Sequence, residues 1–286
     1  MKNIFDIISQ KPLILILGIF VFSLFLIWFS HSNFDGLNSE QRNNIRKANA
    51  YINSANELKN EKDTELKAKY LEKSKNILDN FSDKENSTYN TSLGFYYLIT
   101  GNLAESYSAL KISLAQDNQS TESKYAIHYF KISALNLALN YVNNNKTDSA
   151  FSIAGELLPI DGKNPELYNL LGVCLIRKNN PDGAIEQFKK SLSLNPNHGQ
   201  ARQNIFSIYI QKYQYASKSG NFEYALSIIK EAMKINANNP ELHLIAGELY
   251  LKLGDKQKAI NNFTKSIEIN NNQKARNYLS QLGIKN

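Results

Sequence analysis

Asn164-Pro165-Glu166-Leu167-Tyr168-Asn169-Leu170-Leu171-Gly172-Val173-Cys174-Leu175 opens a stretch whose apolar residues recur at helical spacing. Its first four residues return as Asn239-Pro240-Glu241-Leu242, 75 positions later (239 − 164). That interval equals two units of about 34 residues plus seven. Seven residues are close to two helical turns, so such an insertion lengthens a helix and nearly keeps its face. In each copy an asparagine stands at the cap position, with proline at the first helical position.

The copy starting at Pro165 reads as two helices. Tyr168, Leu171, Gly172 and Leu175 share one face of the first. Asn179-Asn180-Pro181 turns the chain, Ala184, Phe188 and Ser191 share one face of the second, and Pro196 closes the unit. The copy at Pro240 repeats this with Ala246, Gly247 and Tyr250, then Gly254, then Ala259, Phe263 and Ser266. Small residues let two helix backbones approach, and the large ones fill the space left between them. Weaker copies start near Ser87 (Leu93, Gly94, Tyr97, then Ser106, Leu110, Ser113) and at Lys131 (Leu137, Ala138, Tyr141, then Ala150 and Ala154). A stretched copy lies between Gln200 and Ala237, with its first helix running to about Lys218.

This pattern resembles the tetratricopeptide repeat, in which large residues at positions 4, 7, 11 and 24 meet small ones at 8, 20 and 27. The resemblance implies an all-α fold, a right-handed α-solenoid of helix-turn-helix repeats. The repeats are placed at 87–120, 131–164, 165–198, 199–239 and 240–271. Residues 39–85 read as a further helical pair, a degenerate repeat in form, with Asn38 as cap and Gln41 completing a capping box. Residues 272–286 read as a polar helix that covers the last repeat, as solenoid ends require.

Ahead of the repeats, no Asp, Glu, Lys or Arg occurs between Lys11 and Asp35. A helix over residues 12–30 would span about 28 Å, close to a bilayer's hydrocarbon thickness. Pro12 suits its start and Trp28 its headgroup boundary. The apolar run exceeds that of a cleaved leader, and Phe29-Ser30-His31 is a poor cleavage site. The expectation is an uncleaved, single-pass transmembrane signal anchor: a cytoplasmic tail at 1–11, the span at 12–30, a linker at 31–38, and the repeats on the outer, periplasmic side of an inner membrane. Counting Lys and Arg on the two flanks does not decide the orientation, so the opposite topology, with cytoplasmic repeats, stays open.

Composition excludes more than it assigns. The chain has 33 Lys+Arg against 26 Asp+Glu, a net +7, read as an excess spread along the chain without a block of five or more. No nucleic-acid patch follows. The single cysteine, Cys174, excludes an internal disulfide, and its apolar setting reads as a small buried thiol. The four histidines stand far apart, and no Cys/His pair has metal-ligand spacing. No phosphate loop, nucleophile elbow or zinc-protease motif occurs. No catalytic residue, metal or cofactor is expected, and the chain is expected not to be an enzyme. Asn86-Ser87-Thr88 and Asn90-Thr91-Ser92 match glycosylation triplets, which chance supplies in so asparagine-rich a sequence.

The resemblance also implies a concave groove lined by first helices. Carried over position by position, the candidate partner-binding residues are Phe95, Leu98, Leu135, Leu139 and Val142 in an apolar first half. In a mixed-charge second half they are Asn169, Val173, Ile176, Arg177, Leu244, Glu248 and Lys252. Arg177 and Lys252 are candidates for an acidic group on the partner. A carboxylate clamp of the kind some members use is not implied, since Glu166 and Glu241 stand where positive charge is wanted. The expected function is a membrane-anchored scaffold or adaptor that binds another protein or a peptide segment and assists assembly of a cell-envelope complex or handling of a client. A cytosol-facing docking receptor and a regulatory subunit of an enzyme complex are the alternatives, and self-association through a solenoid face is compatible with each.

Overall fold

The computed structural model describes residues 36–59, 61–116 and 121–284. The expected tail at 1–11, the span at 12–30 and most of the linker lie outside the described residues. Among those described, no helix is long and apolar enough to cross a membrane. They form thirteen α-helices and one short 3-10 turn, with no strand.

The chain divides into two compact units at Gly162/Lys163. The first holds α1 (Ser39–Glu57), α2 (Thr64–Asp79), α3 (Ser87–Thr100), α4 (Leu103–Gln116), α5 (Thr121–Asn143) and α6 (Thr147–Asp161). The second holds α7 (Pro165–Arg177), α8 (Pro181–Leu194), α9 (Gly199–Lys218), α10 (Phe222–Ile235), α11 (Pro240–Lys252), α12 (Lys256–Ile269) and α13 (Gln273–Gln281). Consecutive helices pack as hairpins: α1 with α2, α3 with α4, α5 with α6, α7 with α8, α9 with α10, α11 with α12. The second helix of one pair then packs on the first helix of the next, as in α4 on α5, α8 on α9 and α10 on α11.

The small-against-large pattern is what closes each hairpin. A Cβ on Gly172 would stand 2.5 Å from the Phe188 ring, and one on Gly247 2.5 Å from Phe263. In α3–α4 the same place is taken by Gly94 under Leu110. A hydroxyl reinforces the contact: Ser113 Oγ donates to the Ser87 carbonyl at 2.9 Å, and Ser266 Oγ to that of Pro240 at 2.7 Å. The equivalent Ser191 Oγ is buried without such a bond.

The abundance of asparagine has a local explanation. Asn38, Asn86, Asn164, Asn180, Asn221, Asn239 and Asn272 each cap a helix N-terminus through the side chain. Asn38 and Gln41 close a reciprocal box, both bonds at 2.9 Å. At the turns inside the pairs, Asn145 and Asn179 take the left-handed conformation that Gly101, Gly220 and Gly254 take elsewhere. The amides of both glycosylation triplets are committed: Asn86 accepts from Thr88 and Tyr89 N–H, and buried Asn90 donates to the Lys84 and Asn86 carbonyls.

Two helices depart from the repeat length. α5 has 23 residues and begins at Thr121, ten positions before the repeat start read at Lys131. α9 has 20 residues where α7 and α11 have 13, so the seven-residue insertion lies within it. At the C-terminal end, α13 buries Ala275 and Leu279 against Leu244, Ala259 and Phe263, and Tyr278 stacks on Phe263 at 4.8 Å. Its exposed positions are polar.

Candidate partner-binding surface

In the first unit the groove positions do not stay open. Phe95 in α3 is 3% exposed, with Tyr129 of α5 stacked on it at 4.4 Å and 13°. Val142 is 2% exposed. Neither can anchor a partner, contrary to expectation. The physical cause at Phe95 is the N-terminal extension of α5, which carries Tyr129 onto α3. Leu98, Leu135 and Leu139 remain half-buried and present apolar surface. Burial pushes the Tyr129 phenol up and the neighbouring His128 imidazole down, the latter with help from Lys131. On another face of this unit, Tyr107 Oη and Lys111 Nζ of α4 both donate to Glu156 of α6, at 2.6 and 2.7 Å. Burial and that bond push the Tyr107 phenol up to about 12, and the bond from Lys111 holds Glu156 below the usual carboxylate range. This is a surface tie between helices α4 and α6.

In the second unit Asn169, Val173 and Leu244 are buried, a second departure from the expected groove. Asn169 Oδ1 accepts from Asn204 Nδ2 of α9 at 3.1 Å, so its amide joins two first helices. Ile176 and Arg177 are half-buried and Lys252 is exposed. Glu248 is not free for a partner: Lys274 Nζ of α13 binds it at 2.7 Å, and that bond raises the Lys274 ammonium above its usual range. Burial, then the nearby Glu248 carboxylate, push the Tyr213 phenol of α9 up. Cys174 is fully buried and its thiol is pushed up to about 11, which leaves it unreactive.

One member of a row of residues escaped the sequence reading. Arg177, Lys218 and Lys252 are the last residues of α7, α9 and α11, so each first helix of the unit ends on a cation. Lys218 was missed because the stretched copy had no secure register; a basic residue two before the Gly220 turn was the available signal. The charge is also less evenly spread than read. Residues 163–286 carry 17 Lys+Arg and 9 Asp+Glu, a net +8, while residues 1–162 carry 16 and 17, a net −1. The whole basic excess therefore sits in the second unit.

Hairpins stacked in this way define a helical-repeat protein. The repeat itself is the tetratricopeptide repeat: a sequence profile of it matches residues 165–198, and another matches residues 240–273. A TPR repeat-containing protein of Methanocaldococcus jannaschii is 26% identical over 251 residues, covering 82% of this chain and 43% of that one. A Drosophila melanogaster homolog of the BBSome complex member BBS4 is 29% identical over 117 residues, covering 41% of this chain and 23% of that one. The chain spans less than half the length of either relative. Among solved structures, YrrB, a TPR protein with an unusual peptide-binding site, is 18% identical and covers 73% of this chain and 97% of its own, at a TM-score of 0.37.

Proposed function

We propose that this chain is a membrane-anchored scaffold that acts by binding alone, holding a segment of another protein on the first-helix faces of its repeats. The observation that carries this is the pair of matched repeats, whose small-against-large contacts are spent on packing while Leu98, Leu139, Ile176 and Lys252 keep surface in reach of solvent. An extended or helical segment laid on the first-helix face of either unit buries apolar side chains against the leucines of the first or the isoleucine of the second. The uncharged stretch between Lys11 and Asp35 supports the anchor, and the short basic tail before it supports repeats on the outer side of a bacterial-type inner membrane. Assembly of a cell-envelope complex is the setting that this topology favours; membership of a complex in the BBS4 relative's name agrees with a role in assemblies.

Two experiments test this. With a tag after Asn286, protease should reach the repeats once only the outer barrier is opened; protection until the inner membrane is lysed reverses the topology and makes a cytosol-facing docking receptor the better reading. In cells, Leu139→Glu together with Ile176→Glu should abolish recovery of the crosslinked partner while far-ultraviolet circular dichroism stays at wild-type helix content. Undiminished recovery would sink the first-helix face as the binding surface.

A further inference from the structure

The seven extra residues of α9 change the register of everything that packs on it. On its earlier side α9 is aligned from its start. Asn204, its sixth residue, bonds Asn169, the fifth of α7, and Lys212, its fourteenth, pairs with Asp182 in the first turn of α8. The six residues beyond Lys212 therefore stand about 9 Å past the beginning of α8. Tyr215 is on this free end, which accounts for its 77% exposure. On its later side the charge of Glu248, the ninth residue of α11, reaches Tyr213, the fifteenth of α9, which matches the end of α9 to α11. α11 and α12 are thus stepped along the helix direction relative to α7 and α8 by about one and a half turns.

A step leaves a void at its foot. The first two turns of α9 reach past the C-terminal end of α10, and a cavity of about 260 Å³ opens between them. Phe206, Ala232 and Ile235 give it an apolar wall, and Arg202, Gln203 and Asn236 a polar rim. Pockets that take whole small ligands run to about 300–1,000 Å³, so this one is the size for a side chain rather than a cofactor. Arg202 donates to the Pro196 carbonyl, and no carboxylate pairs with it among the described residues. α9 carries Arg202, Lys212 and Lys218 and no acidic residue, within a unit whose net charge is +8 (17 − 9).

We propose that this notch receives an apolar side chain from an acidic, extended segment of a partner protein, with Arg202 pairing a neighbouring carboxylate of that segment. The proposal rests on the scaffold reading and gives it a chemistry. The apolar wall excludes a purely polyanionic ligand as the best fit, and the arginine at the rim selects against a basic segment.

The test uses the full chain and fluorescein-labelled peptides: glutamates around one leucine, the same with serine for leucine, and the same with lysines for glutamates. Only the first should bind saturably. Arg202→Glu should weaken it about tenfold or more, and Asn236→Trp, which fills the notch from an exposed position, should do the same. Lys256→Glu makes an identical charge change on α12 and should do much less. The proposal is overturned if Arg202→Glu and Lys256→Glu weaken binding equally, or if the serine or lysine peptide matches the leucine one. It is overturned as well if the wild type binds none of the three. In that last case, a cellular partner still lost on Leu139→Glu/Ile176→Glu leaves the scaffold reading standing without the notch, whereas absence of any recoverable partner removes both.

Discussion

Gly172 shows how one missing methyl group organises a hairpin. With its would-be Cβ 2.5 Å from Phe188, whose ring is fully buried, neither partner has room to move. Gly172→Ala is expected to cost about 1–3 kcal/mol through overpacking, read as a lower urea midpoint with an unchanged slope. Gly155 in α6 is the control, because nothing stands within 4 Å of its would-be Cβ. Gly155→Ala should stabilise by about 0.5–1 kcal/mol, since a helix-interior glycine loses more backbone freedom on folding than alanine does. A loss at Gly155 equal to that at Gly172 would mean that helix context, not the ring contact, governs both. Gly172, Gly247 and their aromatic partners were legible in the sequence because both sides of each contact lie within one repeat. The fate of Phe95 was not, because Tyr129 comes from the next pair.

At the scale of elements, length matters as much as face. The extension of α5 closes the groove over α3, and the extension of α9 opens a notch beside α10; the same kind of change has opposite consequences according to which end of the neighbouring hairpin it meets. The length of α9 was visible as sequence, yet its consequence was not, since periodicity reports which face a residue occupies and not what lies opposite. The short α13 depends wholly on packing: nine residues are too few to hold a helix in water unaided. Leu279, 1% exposed among Phe263, Ala259 and Leu244, is its main attachment. Leu279→Ala should cost about 2–5 kcal/mol and raise amide exchange in α13 before the rest of the second unit. Uniform exchange across α11–α13 would instead show that the cap and the last repeat open together.

For the whole molecule the two units differ in charge more than in architecture. The net +8 on residues 163–286 against −1 on residues 1–162 predicts that an acidic partner engages the second unit. Such binding weakens with salt, since raising ionic strength from about 0.01 to about 0.1 M shortens the Debye length from about 30 to about 10 Å. Affinity of the glutamate–leucine peptide measured across that range should fall steadily. Salt-independent binding would mean that apolar burial alone holds it.

The sequence by itself determined the helical hairpins, their caps and turns, and the Gly-to-aromatic contacts that close them. Those interactions run between residues at fixed offsets inside a repeat, so spacing and residue size are enough to write them down. Tertiary structure alone decided which first-helix positions remain available: Tyr129 covers Phe95, Asn204 engages Asn169, Lys274 holds Glu248, and the offset between α9 and α10 leaves the notch at Arg202. Each of those outcomes depends on the register between helices of different pairs, which helix lengths set jointly and no single repeat records.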